Sequence, residues 1–158
     1  MTAKTGIGQD SHAFEDVPGK PLILAGIKLD HPLGLKGNSD ADVVLHSITN
    51  AVSSITGNNI LGSVADQLCQ DGVTNSSNYL KLALDDLEDW KISHIAIAIE
   101  CLKTKISPQI DSMKKSIAKL CYINKNDVGI TATTGEGLTA FGKGEGIQVI
   151  TIITVNKT

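Results

Sequence analysis

The sequence predicts an α+β fold in which a mixed sheet of four to five strands carries three helices on one face. Three observations support this prediction: short apolar or alternating segments typical of strands, longer segments with helical spacing, and the order β-β-α-α-β-α-β-β along the chain. With 158 residues the chain has the length of one domain, and we expect residues 1–158 to fold without a disulfide or structural metal.

The first two strands are predicted at residues 5–10 and 21–29. The second reads Pro-Leu-Ile-Leu-Ala-Gly-Ile-Lys-Leu, and the preceding Asp16-Val17-Pro18-Gly19 is typical of a turn. This pattern predicts a hairpin that opens the fold. Further strands are predicted at 92–99, 128–133 and 147–153, the last two separated by a glycine-rich connection.

Helical spacing of apolar residues predicts a first helix at 40–56. Ser39 precedes it as the expected N-cap, with Asp42 as its capping partner. The opposite stripe of this helix is polar and contains His46, so we expect His46 to lie outside the core. Two further helices are predicted, from Ser77 to Asp89 and from Ser107 to Leu120.

Composition narrows the possible partners and the compartment. The chain has 14 basic and 17 acidic residues and a formal charge of -3, so it has no strongly cationic face, and we expect neither a nucleic acid nor a membrane partner. Cys69, Cys101 and Cys121 are odd in number and lack metal-site spacing, which favours a reducing, cytoplasmic location. The strands at 95–99 and at the C-terminus are apolar on both faces, which predicts self-association.

A carboxylate and two imidazoles are the strongest candidates for chemistry. Asp10 and His12 alternate on one face of an extended segment, and the first predicted helix could bring His46 to meet them. One carboxylate and two neutral imidazoles suit Zn²⁺, and three protein ligands leave one coordination position open for a reactant. The alternative is a chance Asp-x-His pair, with His46 a satisfied polar residue at a helix border.

A second candidate region is the glycine-rich segment 131–138, which contains Thr133, Thr134 and Glu136. Hydroxyls and glycine N–H groups at a strand end can hold phosphate oxygens, and an acidic residue among them can hold Mg²⁺. Lys105 could add a positive charge for phosphate. The alternative is an ordinary glycine-rich turn with a solvated lysine.

The chain resembles the 2-C-methyl-D-erythritol 2,4-cyclodiphosphate synthase family of the non-mevalonate isoprenoid pathway. The matching motifs lie at residues 6–12, 24–26, 38–46, 132–136 and 144–147. The resemblance implies a phosphorus–oxygen lyase that converts 4-diphosphocytidyl-2-C-methyl-D-erythritol 2-phosphate to the 2,4-cyclodiphosphate and releases CMP. It also implies a homotrimer whose sheets face a central channel, with active sites at subunit interfaces.

The resemblance implies two metal ions per active site. Asp10, His12 and His46 match the ligands of one Zn²⁺, and Glu136 matches the residue that holds Mg²⁺ or Mn²⁺ on the substrate diphosphate. Lys105 and Thr134 are the expected catalytic residues. The expected substrate-binding residues are Asn38, Ser39, Lys105, Thr133, Thr134 and Glu136.

Some positions depart from the family pattern. Asn38 stands where His is usual, and Asn50 replaces an Asp and is expected to orient His46. The segment 58–75 matches least, so no erythritol contacts are assigned to it. The altered segment 58–75 leaves open a catalytically impaired metal- or nucleotide-binding protein on the same scaffold. A separate alternative is a zinc-dependent phosphohydrolase, in which water attacks instead of the 2-phosphate.

Overall fold

The computed structural model describes residues 1–158, and a four-stranded mixed sheet forms their centre. Its strands are β1 (Thr2–Ala13), β4 (Lys91–Glu100), β5 (Val128–Thr133) and β6 (Gly146–Lys157). They lie in the order β1-β6-β4-β5, with β6 antiparallel to both neighbours and β4 parallel to β5. This confirms the predicted mixed sheet, although β1 and β6 are longer than predicted.

The predicted strand 21–29 is instead a small separate hairpin of β2 (Leu22–Leu24) and β3 (Ile27–Leu29). The turn between them holds Ala25 and Gly26 at φ 56° and 75°. The predicted hairpin with the first strand is therefore wrong, because β1 pairs with β6 along its whole length.

Three of the four α-helices were predicted from the sequence, and the short second one was not. Asp42, not Ser39, is the N-cap of the first helix, because its carboxylate accepts the Leu45 N–H at 3.0 Å. The Ser39 hydroxyl accepts the Ala41 N–H at 3.0 Å, before the helix begins. The helices are α1 (Val43–Thr56), α2 (Ser63–Gln70), α3 (Ser76–Asp85) and α4 (Ile110–Cys121), the last preceded by a 3₁₀ turn (Ser107–Gln109).

Two glycines allow α1 to pack directly on the backbone of β1. A Cβ atom at Gly6 would lie 2.3 Å from the Ala51 carbonyl oxygen, and one at Gly8 would lie 2.1 Å from the Ser47 carbonyl oxygen. No side chain fits at these distances. The helix is therefore held against the strand that carries Asp10 and His12.

The polar stripe of α1 is buried, contrary to expectation. His46 is 8% exposed, and Asp42 and Thr49 are fully buried. The physical reason is that β1 and β6 pack on one side of α1 while α3 packs on another. His46 therefore lies at the edge of the core.

All helices that contact the sheet lie on one face, as predicted. A single cluster of 33 buried residues fills the space between them and the sheet. The opposite face of the sheet exposes Ile7, Ile150 and Ile152 by 61%, 41% and 43%. No helix has the length and apolar character needed to cross a membrane.

Candidate metal centre

Asp10, His12 and His46 come together, as the sequence predicted. Asp10 and His12 are two residues apart on β1 and share one face, while His46 lies in the first turn of α1. The close packing at Gly8 places that turn over the strand. The site thus depends on backbone contact between two elements far apart in sequence.

The three side chains converge through one atom each. His12 Nε2 lies 2.9 Å from Asp10 Oδ2, His46 Nδ1 lies 3.1 Å from the same oxygen, and the two nitrogens are 3.4 Å apart. Zinc bonds of roughly 2.0–2.1 Å in a tetrahedron separate neighbouring ligand atoms by about 3.3 Å. The donor set fits a divalent metal ion of this size, and three ligands leave a fourth position for a reactant oxygen.

The outer nitrogen of each imidazole has its own hydrogen-bond partner. His12 Nδ1–H donates to the Lys36 carbonyl oxygen at 2.7 Å, since a carbonyl can only accept. His46 Nε2 lies 2.8 Å from the Ser76 hydroxyl. Sequence reasoning missed Ser76 and assigned the orienting role to Asn50, which was wrong: the Asn50 amide donates to the Gln9 carbonyl oxygen at 3.1 Å.

The electrostatics of the site favour an ionised Asp10. Burial raises the pKa of Asp10. Hydrogen bonds to His12 and His46 and the charges of both rings together lower it by more, so the pKa lies below its usual value. The hydrogen bond to Asp10 in turn raises the pKa of His12, against partial desolvation. The centre therefore has a negative ligand, which attracts a cation.

A cavity of about 600 Å³ opens beside the three ligands, large enough for a small-molecule substrate. Asn38 and Ser39, both predicted to bind substrate, line this cavity, and their role stays a prediction. Its far wall is formed by α2 and the preceding loop, which sequence reasoning did not assign. Lining residues from that wall are Asn59, Leu61, Gly62, Ala65, Asp66 and Cys69.

The remaining predicted site residues lie outside this cavity. Thr133 lines a smaller cavity of about 260 Å³ at the exposed face of the sheet, together with Glu100. Lys105 lines a third cavity of about 320 Å³ beside Asp30 and His31. Thr134 and Glu136 are exposed, and the Thr134 hydroxyl accepts the Glu136 N–H at 3.4 Å. Within one chain, the metal centre is therefore apart from the predicted phosphate-binding residues, whose roles remain predictions.

The fold and the site define a small α+β protein in which one carboxylate and two imidazoles could hold a metal ion beside a substrate-sized cavity. The sequence model of the YgbB family matches residues 3–156, and the chain belongs to that family. The α+β fold class and the end-to-end family resemblance, both predicted from the sequence, are thereby confirmed.

Curated relatives cover nearly the whole chain. The 2-C-methyl-D-erythritol 2,4-cyclodiphosphate synthase of Chlamydia felis is 47% identical over 155 residues, which is 96% of this chain and 88% of that protein. The protein of the same name from Chlamydia trachomatis serovar L2b is 46% identical over 155 residues, which is 96% of this chain and 87% of that protein.

Solved structures share the fold. The bifunctional IspDF from Campylobacter jejuni superposes with a TM-score of 0.89 at 28% identity, over 99% of this chain and 43% of that one. A 2C-methyl-D-erythritol-2,4-cyclodiphosphate synthase bound to CDP superposes with a TM-score of 0.81 at 25% identity, over 97% of this chain and 100% of that one.

Proposed function

We propose that the protein catalyses the 2-C-methyl-D-erythritol 2,4-cyclodiphosphate synthase reaction of isoprenoid biosynthesis. The observation that carries this proposal is the convergence of Asp10, His12 and His46 beside a cavity of about 600 Å³. Relatives that bear this name are 46–47% identical over 96% of the chain. Fold, site and relatives therefore agree on one activity.

The reaction is an intramolecular phosphoryl transfer. An oxygen of the 2-phosphate of 4-diphosphocytidyl-2-C-methyl-D-erythritol 2-phosphate attacks the β-phosphorus, and the bond from that phosphorus to the CMP oxygen breaks. CMP leaves, and the two phosphates remain joined in a ring. No side-chain nucleophile is needed, so the task of the protein is to position the two phosphates in line and balance their charge.

The residues divide this task. Asp10, His12 and His46 would hold Zn²⁺, and Glu136 would hold Mg²⁺ or Mn²⁺ on the diphosphate. Bound metal ions supply positive charge to phosphate oxygens. Asn38 and Ser39 line the cavity beside the first site and would hydrogen-bond the diphosphate there. Lys105, Thr133 and Thr134 bind the phosphates of the cytidine end, with Lys105 and Thr134 in contact with the reacting groups.

A homotrimer would complete the active site. The metal cavity and the residues Thr133 and Lys105 are apart within one protomer, and the uncovered sheet face presents Ile150 and Ile152. Packing three such faces around a channel buries these residues and lets one protomer's phosphate-binding residues meet its neighbour's metal centre. The CDP-bound structure of a similar chain supports a cytidine nucleotide as the ligand.

The protein works in a reducing compartment, which we take to be the cytoplasm. Its three cysteines, Cys69, Cys101 and Cys121, are all free. Burial raises the pKa of the Cys121 thiol to about 12 and also raises that of Cys101, which keeps both thiols protonated and unreactive.

The test is a product assay with the purified protein, Zn²⁺, Mg²⁺ and the cytidylyl substrate. The proposal predicts equal amounts of CMP and the cyclic diphosphate, and the loss of both products in His12→Ala. A linear phosphate product would identify a phosphohydrolase instead. Substrate binding without turnover by zinc-loaded protein would identify a binding protein and overturn the proposal.

A further inference from the structure

The glycine-rich segment 134–145 joins β5 to β6 and carries Thr134 and Glu136. Its backbone hydrogen bonds run mainly between its own residues, and its two ends bond the adjoining strands or the residue after β1. Between these ends, one hydrogen bond joins the segment to the rest of the chain: the Thr139 hydroxyl donates to the Glu100 carboxylate. The position of the segment therefore depends on a single side-chain contact.

Glu100 lies where it can hold the segment from the middle of the sheet. It is the last residue of β4, and its Cα pairs with Thr133 on β5 and with Gln148 on β6. The segment leaves the sheet from β5 and returns to it in β6. The Thr139 hydroxyl that donates to Glu100 also accepts the Gly142 N–H at 2.9 Å. One hydroxyl thus joins both halves of the segment to the sheet.

The Glu100 carboxylate also packs directly against the backbone at Gly135. A Cβ atom at Gly135 would overlap Glu100 Oε1, and Gly135 has φ 76°, a conformation that glycine adopts without strain. Gly135 lies between Thr134 and Glu136, and the Thr134 hydroxyl accepts the Glu136 N–H at 3.4 Å. Glu100 therefore supports the backbone at the point that carries the two predicted site residues.

We propose that Glu100 and Thr139 are positioning residues, whose hydrogen bond holds the glycine-rich segment so that Thr134 meets the phosphates of the substrate. Both act through the backbone that carries Thr134, and neither has to touch the substrate. A segment already held in its binding conformation loses less conformational freedom when the ligand binds, so the ligand binds more tightly. The inference rests on the proposed function, because it assumes that Thr134 contacts phosphate.

Four single substitutions separate the hydrogen bond from the shape of the side chains. Glu100→Ala removes the acceptor, and Thr139→Val replaces the hydroxyl by a methyl group. Glu100→Gln keeps an acceptor oxygen and Thr139→Ser keeps the hydroxyl, so both conservative variants retain the bond. Glu100 is half-buried and Thr139 is exposed, and neither belongs to the core cluster, so the variants are expected to fold.

The readouts are the affinity for CDP by titration calorimetry and the amide hydrogen exchange of residues 134–145 by mass spectrometry. Glu100→Ala and Thr139→Val are expected to weaken CDP binding and to speed exchange in the segment, each by about tenfold, because a hydrogen bond to a charged group is lost. Glu100→Gln and Thr139→Ser are expected to stay within about threefold of the parent. The double variant Glu100→Ala/Thr139→Val should match the weaker single variant, because both changes break one contact.

Thr56→Val is the matched control. The Thr56 hydroxyl also accepts a backbone N–H, that of Asn58 at 3.2 Å, but it lies at the end of α1 and has no contact with the glycine-rich segment. This variant is expected to bind CDP within about threefold of the parent and to leave exchange in residues 134–145 unchanged.

Faster exchange together with parental CDP affinity in Glu100→Ala and Thr139→Val would show a bond that is only structural and would overturn the inference. Failure of Glu100→Gln and Thr139→Ser to restore both readouts would also contradict it, as would a parent protein that binds no CDP. The product assay decides the proposed function separately. A parent that binds CDP but forms no product contradicts that function, while the CDP affinities of the variants still decide the roles of Glu100 and Thr139.

Discussion

His46 illustrates how the chemistry of one residue depends on groups far away in the sequence. Its Nδ1 faces Asp10 on β1, its Nε2 faces Ser76 on α3, and its ring packs 6.1 Å from that of Tyr79, measured between centroids. A histidine at the edge of a core with both nitrogens engaged has a defined orientation. A metal ion therefore meets a ligand that is already in place.

Replacing His12 by alanine should remove the metal without unfolding the protein. His12 is partly exposed and lies outside the core cluster, so its loss creates no cavity there. Zinc affinity is expected to fall by more than about 100-fold. Loss of a group that only hydrogen-bonds a ligand costs about 10–100-fold, and this variant loses the ligand itself.

Mass spectrometry measures the zinc content of the variant, and circular dichroism measures whether it is folded. His31→Ala is the control, because His31 hydrogen-bonds only the backbone of Leu33 and lies away from the metal. Retention of stoichiometric zinc by His12→Ala would show that the ligand set is wrong.

The sequence allowed prediction of the metal ligands but not of their supporting residues. Asp10 and His12 are two apart on a strand, and His46 lies on the helical stripe that faces them, so local periodicity was sufficient. Ser76 and Asp40 meet only because α3 packs against the start of α1. No local pattern encodes that contact.

At the scale of secondary structure, the contact between β1 and α1 determines the geometry of the site. Gly6 and Gly8 bring the helix backbone within a distance that no Cβ atom tolerates. The metal ligands on the two elements then lie close enough for one ion to bridge.

Gly8→Ala should therefore destabilise the protein and disrupt the metal centre. The added methyl group would overlap the Ser47 carbonyl oxygen, so the helix must move, and the expected loss of unfolding free energy is about 3 kcal/mol. Urea denaturation measures it.

Gly129→Ala on β5 is the matched control. A Cβ atom there would lie 3.7 Å from its nearest neighbour, the His94 ring, an ordinary contact, so we expect a change within about 1 kcal/mol. Equal stability of the two variants would contradict the packing argument.

The elements that sequence reasoning missed are those set by tertiary contacts. The turn at Ala25 is stabilised by the carboxylate of Asp42, which accepts the N–H groups of Ala25 and Gly26 at 2.9 and 2.6 Å. An alanine with positive φ gives no turn signal of its own. Helix α2 has eight residues, buries only Ala65 and has no side-chain cap, so periodicity could not reveal it.

The surface ion pairs of α4 make a pH-dependent contribution. Hydrogen bonds from Lys125 and Lys115 lower the pKa of Asp111 to about 2 from 3.8. Because the pKa of Asp111 is lower in the folded than in the unfolded protein, its ion pairs stabilise the fold at any pH above the unfolded-state pKa of 3.8. This contribution is lost as the pH falls from 3.8 towards about 2.

Urea midpoints of the parent and Asp111→Asn should therefore differ most above about pH 5 and converge as the pH falls from 3.8 towards about 2. The effect is small, because these side chains are exposed and solvent screens their charges. Lys81→Gln, on another helix, should show no such convergence. A constant difference between the parent and Asp111→Asn across this range would contradict the assignment.

At the scale of the whole molecule, the uncovered sheet face and the divided site have one explanation. Ile7 and Ile152 are cross-strand neighbours on that face, and both are exposed. The predicted phosphate-binding residue Thr133 lies at the same face, away from the metal cavity. Association through this face would cover the apolar residues and join the two parts.

Ile152→Asp should convert the proposed trimer to monomers, because three buried carboxylates would then face one another around the channel. Size-exclusion chromatography with light scattering measures the mass. Leu82→Asp is the control, since Leu82 is also exposed but lies on α3, away from the sheet. A parent protein that is monomeric, or an Ile152→Asp protein that stays trimeric, would contradict this arrangement.

The most direct test of the central claim is anomalous diffraction at the zinc edge from crystals grown with Zn²⁺. We expect one strong peak per chain, within bonding distance of Asp10 Oδ2, His12 Nε2 and His46 Nδ1. Zinc-soaked crystals with no peak at this position, or with the three side chains directed apart, would contradict the account.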